Sequence, residues 1–175
     1  MLPKVLPDLP GHLARLLQRA AAAAAALKAQ LDAVEAELIA EAPPAPVGMG
    51  AITAGVLERE VLDWHRFESG KKAGSFIGLS PSEDSTGQRW QLGPVDKHGS
   101  PRLRFWCVEA AWRLLKFQRN YRGVIWAREK LRAANTHRGK QILVALARRF
   151  FVDWWRVRTG RVSAAELGFV FKAAT

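Results

Sequence analysis

The sequence predicts a mainly α-helical protein, in which a coiled-coil-like helix at the N-terminus precedes a compact helical domain. Over several long stretches, apolar residues recur at spacings of three and four, as they do along one face of a helix. A central stretch, residues 78–104, is instead rich in Gly and Ser, and this predicts a loop or hairpin inside the domain. With 49% hydrophobic residues in 175, the chain can bury a core.

Residues 1–42 are expected to form an extended arm followed by a helix. Three prolines in the first ten residues favour the arm. From Gly11 to Ala42 the apolar positions alternate spacings of three and four, which is typical of a left-handed coiled coil. This seam contains Leu17, Ala20, Ala24, Leu27, Leu31, Val34 and Leu38. Because it spans only about three heptads, two alternatives stay open: pairing with a partner helix, which we favour, or packing on the chain's own domain.

Residues 43–50 predict a stiff linker and a turn, because three prolines are followed by Gly48 and Gly50. This turn would give the domain, residues 51–175, a helix-hairpin-helix-like start. The next helix is expected over 51–64 and a short one over 69–77. The inward positions of the first of these are predicted to be Ile52, Val56, Leu57, Val61 and Trp64.

Three further helices are expected after the central stretch. Ser100 and Pro101 form a good helix start, a hydroxyl cap followed by proline in the first turn. The apolar stripe of this helix contains Leu103, Trp106, Cys107, Ala110, Ala111, Leu114 and Phe117. The other two helices are predicted over 121–134 and 137–158, and the tail is expected to hold a short helix over 163–170.

The positive charge of the chain is concentrated in its second half. Residues 97–175 contain 18 Lys and Arg against 4 Asp and Glu, a net +14, whereas residues 1–96 contain 9 against 12, a net −3. Such asymmetry favours a polyanion, and hence DNA, as the partner of the second half. Basic residues of the last long helix, Arg138 and Lys140, are candidate DNA contacts.

Several other classes of protein and site are disfavoured by composition. A single cysteine, Cys107, excludes an internal disulfide and argues against a cysteine-based zinc site. The four histidines lie in separate segments without metal-ligand spacing, so no metal or other cofactor is expected in this chain. No apolar run is long enough to span a membrane, and the N-terminus lacks the layout of a signal peptide, which predicts a cytoplasmic protein.

The central stretch combines three kinds of group that suit a phosphodiester site. Hydroxyl side chains can attack phosphorus, glycine lets a backbone approach another molecule, and arginine can hold a phosphate through two parallel hydrogen bonds. The candidates are Lys97, Arg102 and Arg104 for phosphate, and Ser85 or Thr86 for the nucleophile. The alternative is a solvated hairpin, in which the same Ser, Asp and Gly only shape turns.

A set of motifs in this stretch resembles the C-terminal domain of the insertion-sequence one-ten transposases, which also carry the one-sixteen name and are guided by a bridge RNA. The matching strings are GLSPSEDSTGQ from Gly78, DKHGSPRLR from Asp96, and EAAW from Glu109. Upstream, GMGAITAGVLEREVLDWHRF resembles the glycine hairpin and helix of the family, and RGKQILVALARR resembles its late basic helix. The similarity covers about Val47 to Gly160.

The resemblance implies a serine nucleophile that becomes joined to one DNA end. It also implies an acidic, RuvC-like domain that works with this serine across a dimer, and a coiled coil between the two domains. Two departures stand out. Thr86 occupies the place of the family's serine, and Ser85 precedes it. No segment here matches the acidic domain, to which any Mg²⁺ requirement would belong.

These observations predict a DNA-binding transposase domain, or a truncated transposase, that acts in DNA transposition and recombination. The expected partners are DNA, a guide RNA, and either a second copy or an intact transposase held through the N-terminal helix. The alternative is a nucleic-acid-binding or regulatory remnant without catalysis. We expect the isolated chain to be inactive in strand transfer, because it lacks the metal-binding carboxylates of the family.

Overall fold

A computed structural model describes residues 10–83 and 92–171. In that part of the chain the helices are α1 (Gly11–Ala40), α2 (Ala51–Val61), α3 (Gly70–Phe76), α4 (Pro101–Phe117), α5 (Arg122–Leu131) and α6 (Thr136–Arg158). Two short strands, β1 (Pro81–Glu83) and β2 (Leu92–Val95), pair antiparallel between α3 and α4. The mainly helical fold class predicted from the sequence is therefore confirmed.

The chain divides into two compact units, residues 1–41 and 42–175. In the first unit, α1 runs for 30 residues and buries none of its side chains. The predicted seam lies exposed along it: Leu27, Leu31 and Val34 have 62%, 66% and 51% of their surface accessible. The alanine-rich sequence has high helix propensity, which accounts for a helix without a buried face. The helix ends two residues before the predicted Ala42.

The core of the second unit forms where α6 packs against α3, α4 and α5, while α2 packs on α4. Ser100 caps α4 as predicted, because its hydroxyl accepts a hydrogen bond from the Leu103 amide at 3.3 Å and Pro101 takes the first helical position. Burial raises the pKa of the Cys107 thiol, which lies in this core. The fully buried aromatic side chains are Tyr121, Phe150, Phe151 and Trp154.

The inward faces differ from the prediction at a few positions. In α2, Thr53 and Ala54 are buried in place of Ile52 and Val56, which are half-buried. The helix ends at Val61, and Trp64 reaches the core from a separate 3₁₀ turn. At the end of α4, Phe117 is 47% exposed, whereas Leu114 in the same turn and Gln118 directly after it are buried.

The predicted helix over 163–170 is wrong, because this segment forms successive turns. Gly168 has a φ of +79°, and a Cβ atom there would stand 2.1 Å from the Asn120 carbonyl oxygen, which fixes a close backbone approach that a helix could not make. The turns place Phe169 in the core, with its ring stacked on Tyr121 at a centroid distance of 4.3 Å.

A buried glutamine ties the tail to the start of the domain. The Gln118 side-chain amide donates to the Val47 and Val170 carbonyls at 2.7 and 2.8 Å, and its oxygen accepts from the Val170 amide at 2.9 Å. Val47 also donates its amide to the Val170 carbonyl at 2.8 Å. Because buried backbone groups need partners, Gln118 replaces the strand neighbour that these two segments lack.

Candidate nucleic-acid interface

The two strands of the central stretch pair antiparallel and form the base of a hairpin, which backbone hydrogen bonds close. Pro81 pairs with Val95 and Glu83 with Leu92, with an irregularity between these pairs. Below them, the Asp96 amide donates to the Ser80 carbonyl at 2.7 Å. The candidate nucleophiles Ser85 and Thr86 stand between the two strands in sequence and lie outside the described residues. The described part of the site is therefore the base of the hairpin.

Two glycines let the chain segments cross at this base. Gly78 has a φ of +64°, a conformation that favours glycine. A Cβ atom on Gly99 would stand 2.5 Å from the Gly78 nitrogen and 2.6 Å from the Phe76 carbonyl oxygen. The Ser100 amide donates to the same carbonyl at 3.4 Å. This crossing joins the end of α3 to the start of α4 and orients the hairpin between them.

Replacing Gly99 with alanine is expected to lower the free energy of unfolding by about 2–3 kcal/mol, because the added methyl meets backbone atoms that cannot rotate away. Chemical denaturation measures the change. Gly55→Ala is the matched control: no atom lies within 4 Å of its Cβ position, and in a helix this change stabilises by about 0.5–1 kcal/mol. Equal midpoints for the two variants would show that the crossing is not tight.

Arg104 braces the crossing with its guanidinium group. Its Nη1 donates to the Lys97 carbonyl at 3.2 Å and lies 2.8 Å from the Cβ position of Gly78. The Arg104 side chain is half-buried, while the Lys97 side chain is exposed. These two predicted phosphate-binding residues are brought together by the turn between β2 and α4. Because one Nη donates to protein, the guanidinium keeps other N–H groups for a phosphate.

Arg102 is placed on the same helix start but has an acidic neighbour. Its Nη1 lies 3.4 Å from Oε1 of Glu60 in α2, and Oε2 of the same carboxylate accepts from the Ser100 hydroxyl at 3.4 Å. The Arg102 side chain is 67% exposed, so this ion pair is a weak, solvent-screened one. Sequence spacing gave no signal of the pairing, because Glu60 and Arg102 lie on different helices, far apart in sequence.

The turn before Gly99 is shaped by Asp96 and His98. Asp96 accepts a hydrogen bond from the His98 amide at 3.0 Å, and its carboxylate also contacts the His98 ring. The backbone hydrogen bond and then the ring contact lower the pKa of Asp96. His98 thus acts as a turn residue here.

Arg138 and Lys140 lie on a different element, the first two turns of α6. Asn135 caps that helix by accepting from the Arg138 amide at 2.9 Å, and both basic side chains are exposed. The chain therefore presents two basic regions, one at the hairpin base and one where α6 begins beside α5. Residue types alone predict all of these side chains as phosphate or DNA contacts and do not reveal that they form two separate regions.

Arg148 is a basic residue whose place the sequence did not predict. Its guanidinium lies across α3, with Nε 3.0 Å from the Cβ position of Gly74. Gly70, Ala73 and Gly74 are small, so α6 can approach α3 closely. The spacing of these small residues on one face of α3 was the available sequence signal of this contact. Arg148 is half-buried by this contact.

Within residues 10–83 and 92–171, no three His, Cys, Asp or Glu side chains come together in a group that could hold a metal ion. Over the same residues, the helices are too short or too polar to cross a membrane.

Residues 46–124 match the family described as "Transposase IS116/IS110/IS902 family". The chain is 30% identical to a putative transposase, y4rJ, of Sinorhizobium fredii, over 85% of this chain and 42% of that protein. It is 29% identical to the transposase for insertion sequence element IS1328 of Yersinia enterocolitica, over 87% of this chain and 48% of that protein. A probable family 20 transposase of Pseudomonas aeruginosa is 30% identical, over 63% of this chain and 33% of that protein.

These matches confirm the family resemblance drawn from the sequence motifs. The matched segment contains the hairpin base and all of α4, whereas the groups at the start of α6 lie beyond it. The chain spans less than half the length of the curated relatives described here.

Proposed function

We propose that this chain, whose residues 46–124 match the Transposase IS116/IS110/IS902 family, is the DNA-binding part of a transposase that acts in DNA transposition and recombination. The observation that carries the proposal is the basic hairpin base, where the Arg104 guanidinium donates to the Lys97 carbonyl. The candidate nucleophiles Ser85 and Thr86 lie between the two strands of this hairpin in sequence. The chain alone supplies one part of such a reaction, and the remainder would come from an acidic partner domain.

The electrostatics of the second half support a phosphate ligand. Residues 97–175 carry a net +14, and the exposed members at the two basic regions include Lys97, Arg102, Arg138 and Lys140. Each cation placed near a phosphate releases a condensed counterion, which favours association at low salt. At the hairpin base, the Arg104 guanidinium would approach a phosphate from a fixed position because the Lys97 carbonyl already orients it.

DNA binding is expected to weaken steeply with salt, by about tenfold or more between 50 and 200 mM if several phosphates are contacted. Titrating labelled duplex DNA at both concentrations measures this. Lys97→Gln combined with Arg102→Gln should reduce the slope of log affinity against log salt by about 2, or about one per phosphate contact removed. Lys28→Gln, an exposed lysine of α1 paired with Asp32, is the matched control. Equal affinity at both salt concentrations would contradict the electrostatic part of the proposal.

In the proposed chemistry, the hydroxyl oxygen of Ser85 or Thr86 attacks a DNA phosphorus. A bond forms between this oxygen and phosphorus, and the bond from phosphorus to one deoxyribose oxygen breaks. The hydroxyl proton passes to a general base, while the leaving oxygen gains a proton. Cations of Lys97, Arg102 and Arg104 would offset the negative charge that develops on phosphorus. Mg²⁺, if required, would be held by the acidic domain.

A second candidate function is binding or regulation without catalysis. Thr86 in the serine position favours this function, because its extra methyl crowds an attack on phosphorus. Such a chain would occupy DNA ends or a guide RNA, or would join intact transposase and lower its activity. The two functions differ in one measurable result, the covalent DNA adduct, which only a catalytic chain would form.

The exposed seam of α1 supports an oligomer, either of this chain or with intact transposase. Leu27, Leu31 and Val34 lie in line and are more than half exposed. Large apolar side chains in a continuous row are expected to be covered by a partner.

Changing Leu27 and Leu31 together to aspartate is expected to convert a dimer into a monomer in sedimentation, since two charges would enter the apolar seam. The control changes Lys28 and Asp32, on the same turns, to alanine, and should leave the mass unchanged. A dimer that survives the double aspartate change would place the interface elsewhere.

A further inference from the structure

A groove of about 480 Å³ lies between α5 and α6, outside the segment that matches the family. Three residues of α5 and Ala133 of the turn after it line one side, and four residues of α6 line the other, at spacings of three and four along the chain. The lining residues are Trp126, Glu129, Lys130, Ala133, Arg138, Gln141, Ile142 and Ala145.

The groove is not required to hold the two helices together. Val124 and Ala127 of α5, and Leu143, Leu146 and Ala147 of α6, are buried in the core. Of the lining residues, only Ile142 is buried, at 8% exposure, and it forms an apolar floor. Trp126 is half-buried and stands at the side of the groove, with the remaining lining residues exposed.

The chemistry of the lining suits an aromatic anion. Trp126 offers a flat ring, and the Arg149 guanidinium lies 5.8 Å from the centroid of that ring, one turn beyond Ala145 on α6. Lys130 and Arg138 add two exposed cations nearer the turn that joins the helices, against one acid, Glu129. A purely apolar peptide would leave Lys130 and Arg138 without partners, whereas a phosphate would pair with them.

We propose that this groove binds one unpaired nucleotide of a single strand, DNA or RNA. The base stacks on Trp126, the Gln141 amide meets the base edge, and Lys130 and Arg138 hold the adjoining phosphate. Stacking on an aromatic side chain between cations is the usual way in which proteins hold unpaired bases. The site deepens the proposed function and rests on it, because it assumes that the chain binds nucleic acid.

The test compares a labelled oligothymidine, an oligouridine of the same length and a duplex. Trp126→Ala is expected to lower affinity for the single strand about tenfold, within the usual range for losing one stacked base. Trp126→Phe should restore most of it, because the ring is kept. Duplex affinity should change less than twofold. The single strand whose affinity falls more on Trp126→Ala, the oligothymidine or the oligouridine, shows whether the groove prefers DNA or RNA.

Trp112→Ala is the matched control, since Trp112 is a tryptophan 57% exposed on α4 and absent from the groove. Thermal unfolding of each variant checks that the domain is intact. Unchanged single-strand binding by Trp126→Ala, or an equal loss in Trp112→Ala, would overturn the site, as would wild-type protein that binds duplex but neither single strand. Wild-type protein that binds no nucleic acid at all would instead overturn the proposed function.

Discussion

Replacing Asp153 with alanine is expected to lower the free energy of unfolding by about 3–5 kcal/mol, because it removes a buried carboxylate shared by a buried hydroxyl and two half-exposed arginines. Asp153 is 4% exposed and accepts a hydrogen bond from the Tyr121 hydroxyl at 2.8 Å. Arg156 and Arg149 approach the same carboxylate at 3.3 and 3.7 Å. Without the carboxylate, the hydroxyl of a fully buried tyrosine has lost its partner.

Related variants separate the parts of this network. Asp153→Asn keeps an acceptor and should cost less than Asp153→Ala. Tyr121→Phe removes one hydrogen bond to a charged group, for which about 1.5–3 kcal/mol is expected. Glu109→Ala, an exposed acid on α4, should change stability by no more than about 0.5 kcal/mol. Denaturation midpoints measure all four, and an Asp153→Ala effect as small as that of Glu109→Ala would contradict the network.

The same tyrosine gives the fold a sensitivity to alkaline pH. Burial, followed by the negative charge and hydrogen bond of Asp153, raises the pKa of Tyr121 above its ordinary value near 10. The folded state therefore favours the neutral hydroxyl. The stabilisation that results is fully present below about pH 10 and is lost as pH rises through the pKa of Tyr121 in the folded state. Relative to Tyr121→Phe, the wild-type protein should lose stability above about pH 10. Cys107 is present in both proteins, so any pH dependence that it adds to stability cancels in the comparison.

Much of this fold follows from local sequence signals. Ser100 and Pro101 start α4 where a hydroxyl cap and a first-turn proline predict it, and the apolar stripe of α6 is buried at Leu143, Leu146, Phe150 and Trp154. These features depend on residues that are neighbours along one helix. They could therefore be predicted without knowing how the helices pack.

The features that escaped prediction all join residues distant in sequence. Gln118 bonds to Val47 and Val170, and Glu60 meets Arg102, across separations that no local spacing reveals. The tail resembled a helix locally, yet Gly168 and the packing of Phe169 on Tyr121 favour turns. Tertiary burial outweighed local propensity there.

The candidate site divides in the same way. Residue types predicted the basic hairpin base, and the structure places Lys97 and Arg104 together at its turn. Residue types could not predict that Arg138 and Trp126 line a separate groove, because this depends on how α5 packs beside α6. Nor could spacing predict that Arg104 is oriented by a backbone carbonyl.

The largest expected effect concerns the nucleophile. Supplied with an acidic partner domain and labelled DNA, the wild-type chain should form a covalent DNA adduct. Ser85 and Thr86 both precede Gly87, whose backbone freedom would let a hydroxyl approach phosphorus. Family position favours Thr86, and the less hindered primary hydroxyl favours Ser85, to which we give a slight preference on chemical grounds. Removing the attacking oxygen should abolish the adduct, because no bond to phosphorus can then form.

The variants are Ser85→Ala, Thr86→Ala and the double change, with adducts resolved on denaturing gels. Complete loss in one single variant identifies its hydroxyl as the nucleophile, while an adduct that survives in the double variant moves the search to Ser80 or Ser82. Lys97→Gln serves as a comparison, since it should slow adduct formation without abolishing it. Intact DNA binding with no adduct in wild-type protein would favour the non-catalytic function, because the phosphate contacts would then be present without attack.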